Sequence, residues 1–264
     1  MSENVCADET SNAKPGILEQ SEFNNIKHVI AVVSGKGGVG KSSVSALLAV
    51  ELNRQGYKVG ILDADITGPS IPKMFGLTSP PGVLDNRIVP VRTTYGILVI
   101  SLNLFLMEED EPVVWRGPLL GSAVTQFWTD VIWGELDYLI VDLPPGTGDV
   151  PLTVMQSLPL YGLVVVTSPQ DLALMVVKKA VKMAGQMNIP ILGMVENMSY
   201  LTCPDCGKKI DLFGPGKAQE TARETGMKLL AVLPVDPKLA KFSDSGQIEL
   251  YDVNPFNEIN LIKE

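Results

Sequence analysis

Cysteine and histidine are scarce in this chain: three cysteines and one histidine occur in 264 residues. Three thiols in a chain this long build no disulfide framework. The lone histidine, His28, stands directly before a strand and reads as a strand-edge residue rather than a catalyst. Positive charge is also short. Lys and Arg number 21 against 30 Asp and Glu, a net charge of −9. That disfavours broad binding to nucleic acid or to an anionic membrane. No apolar run approaches about 18 residues, so no membrane span is expected. The first residues carry Glu3, Asp8 and Glu9 without a basic–apolar leader, and a cytoplasmic protein is expected. What remains is 45% apolar and 19% charged, a composition suited to a globular protein with a large core.

The stretch Val29–Ser42 reads VIAVVSGKGGVGKS. An apolar run with β-branched residues, Val29 to Val33, breaks into a glycine-rich loop, and a helix-like run, Val44 to Asn53, follows. Gly35, Gly40, Lys41 and Ser42 fit G-x-x-x-x-G-K-[ST] in the strand–loop–helix setting that such a loop requires. Backbone N–H groups of Gly35, Lys36, Gly37, Gly38, Val39, Gly40, Lys41, Ser42 and Ser43 are expected to cradle phosphates, because a Cβ would obstruct their approach. The helix N-terminus adds partial positive charge there. Lys41 is placed to reach the β/γ-phosphates, and the Ser42 hydroxyl to ligate Mg²⁺.

Further along, strand Lys58–Leu62 runs into LDADITGPS, and strand Tyr138–Val141 into DLPPGTGD. Ligand crevices lie at the C-terminal ends of parallel strands. Asp63, Asp65 and Asp142 therefore fall near Mg²⁺ and the attacking water, Asp142 as a Walker B carboxylate. Gly146 can offer its N–H to a γ-phosphate, and Thr67–Ser70 is a turn suited to switching. Asp149 contacts either a partner subunit or the switch. Arg116, beside Trp115, serves the switch, dimer contacts or a structural cation–π pair. The acidic run 108–110 reads as a solvated turn. Strand Ile191–Val195 leads to Asn197, whose amide can donate and accept. Val235–Asp236 follows the last strand, Leu229–Leu233, and Asp236 is either a helix N-cap or a base contact. Other helices are expected at 119–133, at 171–187 with Asp171 in the first turn, within 214–226 and at 237–245.

Cys203-Pro204-Asp205-Cys206-Gly207 is a knuckle that turns two thiolates toward one metal. Two readings stand. A symmetric dimer can supply the pair twice, giving four sulfurs on its two-fold axis. Alternatively the pair is a redox dithiol, but such a motif should open a helix, and the flanks here look like a hairpin. The shared metal centre is preferred. Cys6 reads as a free thiol in the N-terminal tail.

Alternating strands and helices predict an α/β fold, a mainly parallel, doubly wound sheet of about seven to eight strands flanked by helices. The expected organisation is a polar tail or short helix over 1–25, a P-loop ATPase domain over 26–250 with a C-x-x-C hairpin inserted at 200–213, and a tail over 251–264. The loop GKGGVGKS, with Lys36 as a second lysine, resembles the deviant phosphate loop of the ATPases that include MinD, ParA and the nitrogenase iron protein. In order, that loop, DADITGPS, DLPPGTGD, VENMS and CPDCG resemble the Mrp/ApbC group of iron–sulfur cluster carriers over about residues 28 to 245.

The resemblance implies a homodimer that binds ATP and Mg²⁺, holds a labile [4Fe–4S] cluster on Cys203 and Cys206, and passes it to apo iron–sulfur proteins. It implies Lys36 reaching across the dimer, Asp65 orienting water and Asn197 reading adenine. Asp205 stands where many members have histidine. Four thiolates suit zinc equally well. A zinc-stabilised dimeric regulatory ATPase is therefore the main alternative. A MinD/ParA-like positioning ATPase is disfavoured by the acidic chain and by a tail lacking a basic amphipathic face.

Overall fold

The computed structural model describes residues 16–65, 68, 70–105, 117–169, 173–214, 216–253, 256 and 261, without the side chains of 117–120 and 173–176. Cys6, Thr67, the acidic run 108–110, Trp115, Arg116 and Asp171 lie outside them.

Strand β1 (Asn24–Ser34) leads into helix α1 (Lys41–Arg54), then β2 (Val59–Asp63) and the short α2 (Ile71–Met74). Next come β3 (Gly82–Leu84), β4 (Arg87–Val89), β5 (Val91–Arg92) and β6 (Leu98–Ser101). Helix α3 (Gly117–Thr129), β7 (Gly134–Asp142), α4 (Asp149–Ser157), β8 (Leu160–Thr167) and α5 (Ala173–Gln186) follow. The chain continues through β9 (Ile191–Glu196), β10 (Leu201–Thr202), β11 (Lys209–Ile210), α6 (Ala218–Thr225), β12 (Leu229–Val232) and α7 (Pro237–Asp244).

Among the described residues, eight strands form one sheet in the order β12-β9-β8-β1-β7-β2-β6-β5. Every pairing is parallel except β5 on β6. Parallel neighbours need crossovers, and the helices supply them on both faces. The side chains of β1 show why. Val29, Ala31 and Val33 enter one core with Trp128, Val154 and Val177, whereas Ile30 and Val32 enter the other with Val44, Leu48 and Ile71. A strand buried on both faces must be apolar at every position, and that is what the run reads.

Two expectations are corrected. The described part of the expected tail or short helix over 1–25, residues 16–25, holds no helix. It enters β1 at Asn24, whose side-chain oxygen accepts N–H groups of Trp133 and Gly134. Helix α3 stops at Thr129 instead of 133, because Ile88 captures the following segment, its N–H donating to the Asp130 carbonyl and its carbonyl accepting from the Ile132 N–H. Helix α4 was not anticipated after the run of glycines and prolines that precedes it. Pro151 sits in the first turn of that helix, where no intrahelical N–H is required. At the C-terminal end, Tyr251, Phe256 and Leu261 are buried in the second core beside α1. Arg54 donates to the carbonyls of Glu249 and Tyr251.

Candidate nucleotide and thiolate sites

The sheet order puts β2, β7, β1, β8 and β9 side by side, all ending at one rim. Asp63 and Asp142 stand in register across β2 and β7. The loop from Ser34 to Lys41 turns through Gly38 (φ 78°) and Gly40 (φ 76°), left-handed conformations that favour glycine. A Cβ on Gly40 would also collide with the Asn197 amide. Gly40 caps α1, so the helix N-terminus opens onto the loop.

Lys41 is 5% exposed, and its Nζ lies 2.8 Å from Asp142 Oδ2 and 3.7 Å from Asp65 Oδ2. Asp142 is fully buried and also accepts from Ser42 Oγ at 2.6 Å and Ser45 Oγ at 2.6 Å. Asp63, equally buried, accepts from the Asp65 N–H at 3.2 Å and from Ser101 Oγ at 3.1 Å. Burial, reinforced by the Asp142 charge, pushes the Asp63 carboxyl well above the usual carboxylate range. Two carboxylates, of Asp142 and Asp65, thus flank one ammonium, with the Asp63 carboxyl in register beside Asp142. That excess of negative charge, made of hard oxygen donors, suits a divalent cation. Among the described residues no three or more His, Cys, Asp or Glu converge as direct ligands of one ion.

Other expected site residues have partners of their own. Gly146 has φ 90°, and its N–H donates to the Ser34 carbonyl at 2.8 Å, so in this conformation it is not offered to a phosphate. Asn197 is buried, and its Nδ2 donates to the Val39 carbonyl at 2.9 Å, which braces the phosphate loop. The two oxygens of Asp236 are both engaged. Oδ1 caps α7 through the Lys238 N–H, and Oδ2 accepts from the Tyr251 hydroxyl at 2.7 Å. The N–H of Val235 donates to the Tyr200 carbonyl. The Lys36 carbonyl accepts from Ser34 Oγ.

The cysteines sit on an antiparallel hairpin, β10 with β11, which leaves the end of β9. Its turn is closed by Cys203 N–H to Lys208 and by Gly207 N–H to the Cys203 carbonyl, each at 2.9 Å. Gly207 takes φ 70° there. The backbone N–H groups of Cys206 and Asp205 point at the Cys203 sulfur and hold its thiol below the ordinary range, as does the Cys206 side chain. Raised acidity of this kind favours the metal-binding thiolate. Cys206 is exposed, and Ile210, Leu212 and Phe213 are apolar and 42–47% exposed beside it.

Ser45, Ser101 and Glu196 escaped sequence reasoning. Ser45 carried a signal, since it lies three residues after Ser42 on one helix face. Ser101 carried none, because its pairing with Asp63 depends on which strand neighbours β2.

The family model described as ParA: NUBPL iron-transfer P-loop NTPase matches residues 25–261. An iron–sulfur cluster carrier protein of Aquifex aeolicus is 52% identical over 233 residues; the match covers 88% of this chain and 64% of that one. A protein of the same name from Clostridium perfringens is 47% identical, with 88% of this chain and 84% of that one covered. Among solved structures, a nucleotide-binding protein of Archaeoglobus fulgidus in complex with ADP, with cobalt found in it, is similar. It has a TM-score of 0.80 and 49% identity, over 88% of this chain and 92% of that one. MinD of Pyrococcus furiosus, at 21% identity and a TM-score of 0.60 over 85% and 91% of the two chains, shares the fold. With the phosphate loop, the carboxylate rim and the thiolate hairpin in one architecture, the chain belongs to the ParA family of NUBPL-type iron-transfer P-loop NTPases.

Proposed function

We propose that the chain is an ATP-binding and ATP-hydrolysing carrier that holds a labile [4Fe–4S] cluster between two copies of itself and delivers it to apoproteins. One observation carries this reading. The Cys203 sulfur, activated by two backbone N–H groups, sits on a hairpin rooted at the same strand end as Asn197, which braces the phosphate loop. Two thiolates complete half of a four-sulfur site, so a second copy supplies the rest. The cluster is cargo rather than a resident group. The names of the Aquifex and Clostridium relatives support the same assignment.

At the nucleotide end, backbone N–H groups of 35–43 receive the phosphates and Lys41 meets their outer oxygens. Ser42 and Asp142 hold Mg²⁺, with Asp63 and Asp65 toward its waters. The ion, when bound, neutralises charge on the phosphates. Asp65 orients water, and Lys36 of the second copy stabilises charge on the transferred phosphoryl group, as an arginine finger does. Adenine recognition falls to Asn197 Oδ1 and the amide hydrogen not given to Val39, with Val235 beside the base. We read residues 26–250 as one ATPase domain in a cytoplasmic protein without nucleic-acid or membrane partners. Among the described residues no helix is long and apolar enough to cross a membrane.

Iron and acid-labile sulfide analysis of anaerobically reconstituted protein tests this. Wild-type protein is expected to bind about four irons and four sulfides per dimer, and Cys203→Ser to bind neither while keeping ADP. Zinc in place of iron and sulfide would overturn the carrier reading in favour of a structural site.

A further inference from the structure

Glu196 ends β9 and is 2% exposed, yet no role assigned so far uses it. Its Oε1 accepts from the Ser199 hydroxyl at 2.8 Å, and its carboxylate also accepts the backbone N–H of Lys217. Those donors stand at the two feet of the cysteine insertion, Ser199 just before it and Lys217 just after. A Cβ on Gly216 would lie 3.0 Å from Oε1, so the returning backbone approaches the carboxylate closely. A buried carboxylate with two such donors clamps the insertion's ends together.

The next residue faces the other way. Asn197 donates to Val39 within the phosphate loop. Between Asn197 and Ser199, Met198 takes φ 59°, a left-handed conformation uncommon for a residue with a side chain. Its methyl end lies in van der Waals range of a Cβ built on Gly40. Four consecutive residues therefore touch both the loop that receives phosphates and both feet of the hairpin that carries Cys203 and Cys206. The hairpin has a separate anchor, because Val235 N–H donates to Tyr200 and Ser199 N–H to Leu233. Loosening Glu196 therefore shifts the hairpin without detaching it.

We propose that Glu196 is a positioning residue that fixes the C-x-x-C insertion relative to the phosphate loop, and that segment 196–199 transmits the nucleotide state to the two sulfurs. The inference rests on the reading that the loop binds nucleotide and the cysteines bind metal. Nucleotide type changes the set of bonds the loop backbone makes; Val39 and Gly40 move with it; Asn197 and Met198 follow; Glu196 passes the shift to Ser199 and Lys217. Coupling of this kind needs an element that both sites contact, and this segment is one.

The test uses the full chain with Co²⁺ as a thiolate probe, titrated by its sulfur-to-cobalt absorption with either ADP or a non-hydrolysable ATP analogue present. Two variants are compared with wild type. Glu196→Gln is isosteric but replaces one accepting oxygen with a donor, and Ser199→Ala removes the hydroxyl that reaches the Glu196 carboxylate and, at 3.1 Å, its backbone carbonyl. In wild type, Co²⁺ affinity is expected to differ at least ~3-fold between the two nucleotides. Both variants are expected to bring that ratio toward one and to weaken Co²⁺ binding about 10-fold, the usual cost of losing a partner behind a ligand, with ADP affinity within about two-fold of wild type. A merely structural role would weaken Co²⁺ equally with both nucleotides and leave the ratio alone. Variants that keep the wild-type ratio overturn the proposal. Wild-type protein that binds Co²⁺ identically with either nucleotide overturns the coupling and leaves the metal reading standing. Wild-type protein that binds no Co²⁺ removes both. If Glu196→Gln fails to fold, Ser199→Ala decides.

Discussion

At Asp142, two serine hydroxyls and one ammonium share a single buried carboxylate. Oδ2 carries Ser42 and Lys41, the two residues proposed to engage the nucleotide. Oδ1 carries Ser45, which has no role in the proposed nucleotide contacts. The division assigns different consequences to the two serines. Ser45→Ala leaves Oδ1 without its hydroxyl donor in a buried site, so it should cost about 1–3 kcal/mol of stability. Chemical denaturation without nucleotide checks this, and binding of ADP with Mg²⁺ should weaken by less than it does in Ser42→Ala. A second residue makes a pH-dependent case. Asp137 accepts from Lys27 Nζ at 2.7 Å and from the Lys58 N–H at 2.8 Å. The Lys27 hydrogen bond first, then the Lys58 N–H, hold its carboxyl below the usual range. A depressed folded-state value adds stability above the unfolded value of about 3.9, and that stability is lost as pH falls through the folded value. Asp137→Asn should therefore destabilise by about 1 kcal/mol at pH 7. The difference should shrink toward zero below about pH 3, read from urea midpoints across pH.

The same division runs through the elements. The unit β1–loop–α1 was legible because its residues leave few alternatives. Val29–Val33 is apolar on both faces, four glycines follow, and Lys41 and Ser42 start a helix. Asp63 and Asp142 were legible as carboxylates closing apolar runs. Helix α4 was not, because Pro144, Pro145, Gly146, Gly148 and Pro151 are all turn-forming residues, and only tertiary contact of Val150 and Val154 with the first core makes the segment helical. Glu196 was not, because nothing local to VENMS says that Lys217 returns to it. Helix α1 itself is almost wholly buried, in a core that also holds Tyr251, Phe256 and Leu261. Leu48, 1% exposed, should therefore behave as a core residue. Leu48→Ala is expected to cost about 2–5 kcal/mol in a denaturant titration. Gly40→Ala attacks the same element at its N-terminus. It forces a Cβ onto φ 76° and into the Asn197 amide. Its expected signature is a loss of ADP affinity exceeding ten-fold, measured by equilibrium binding.

At the scale of the whole molecule, both halves of the chemistry ask for a second copy. The hairpin offers two sulfurs and an apolar margin of Ile210, Leu212 and Phe213 exposed beside them. The loop offers Lys36, half-buried at its start. If Lys36 acts on the nucleotide of the partner, two individually inactive variants must complement each other. Lys41→Ala protein lacks a usable site of its own but still carries Lys36. Lys36→Ala protein has an intact site but nothing to offer across the interface. Mixed at equal concentration with exchange of subunits, half of the dimers pair one variant with the other. Each mixed dimer then contains one complete site, built from Lys41 of one copy and Lys36 of its neighbour. Phosphate release should therefore rise from near zero to roughly a quarter of the wild-type rate. A lysine acting within its own subunit leaves every mixed dimer as inactive as its parents, because the only site with Lys41 lacks Lys36. Absence of complementation, with subunit exchange demonstrated independently, would remove the trans role of Lys36 while leaving the thiolate pairing to be judged on its own metal analysis.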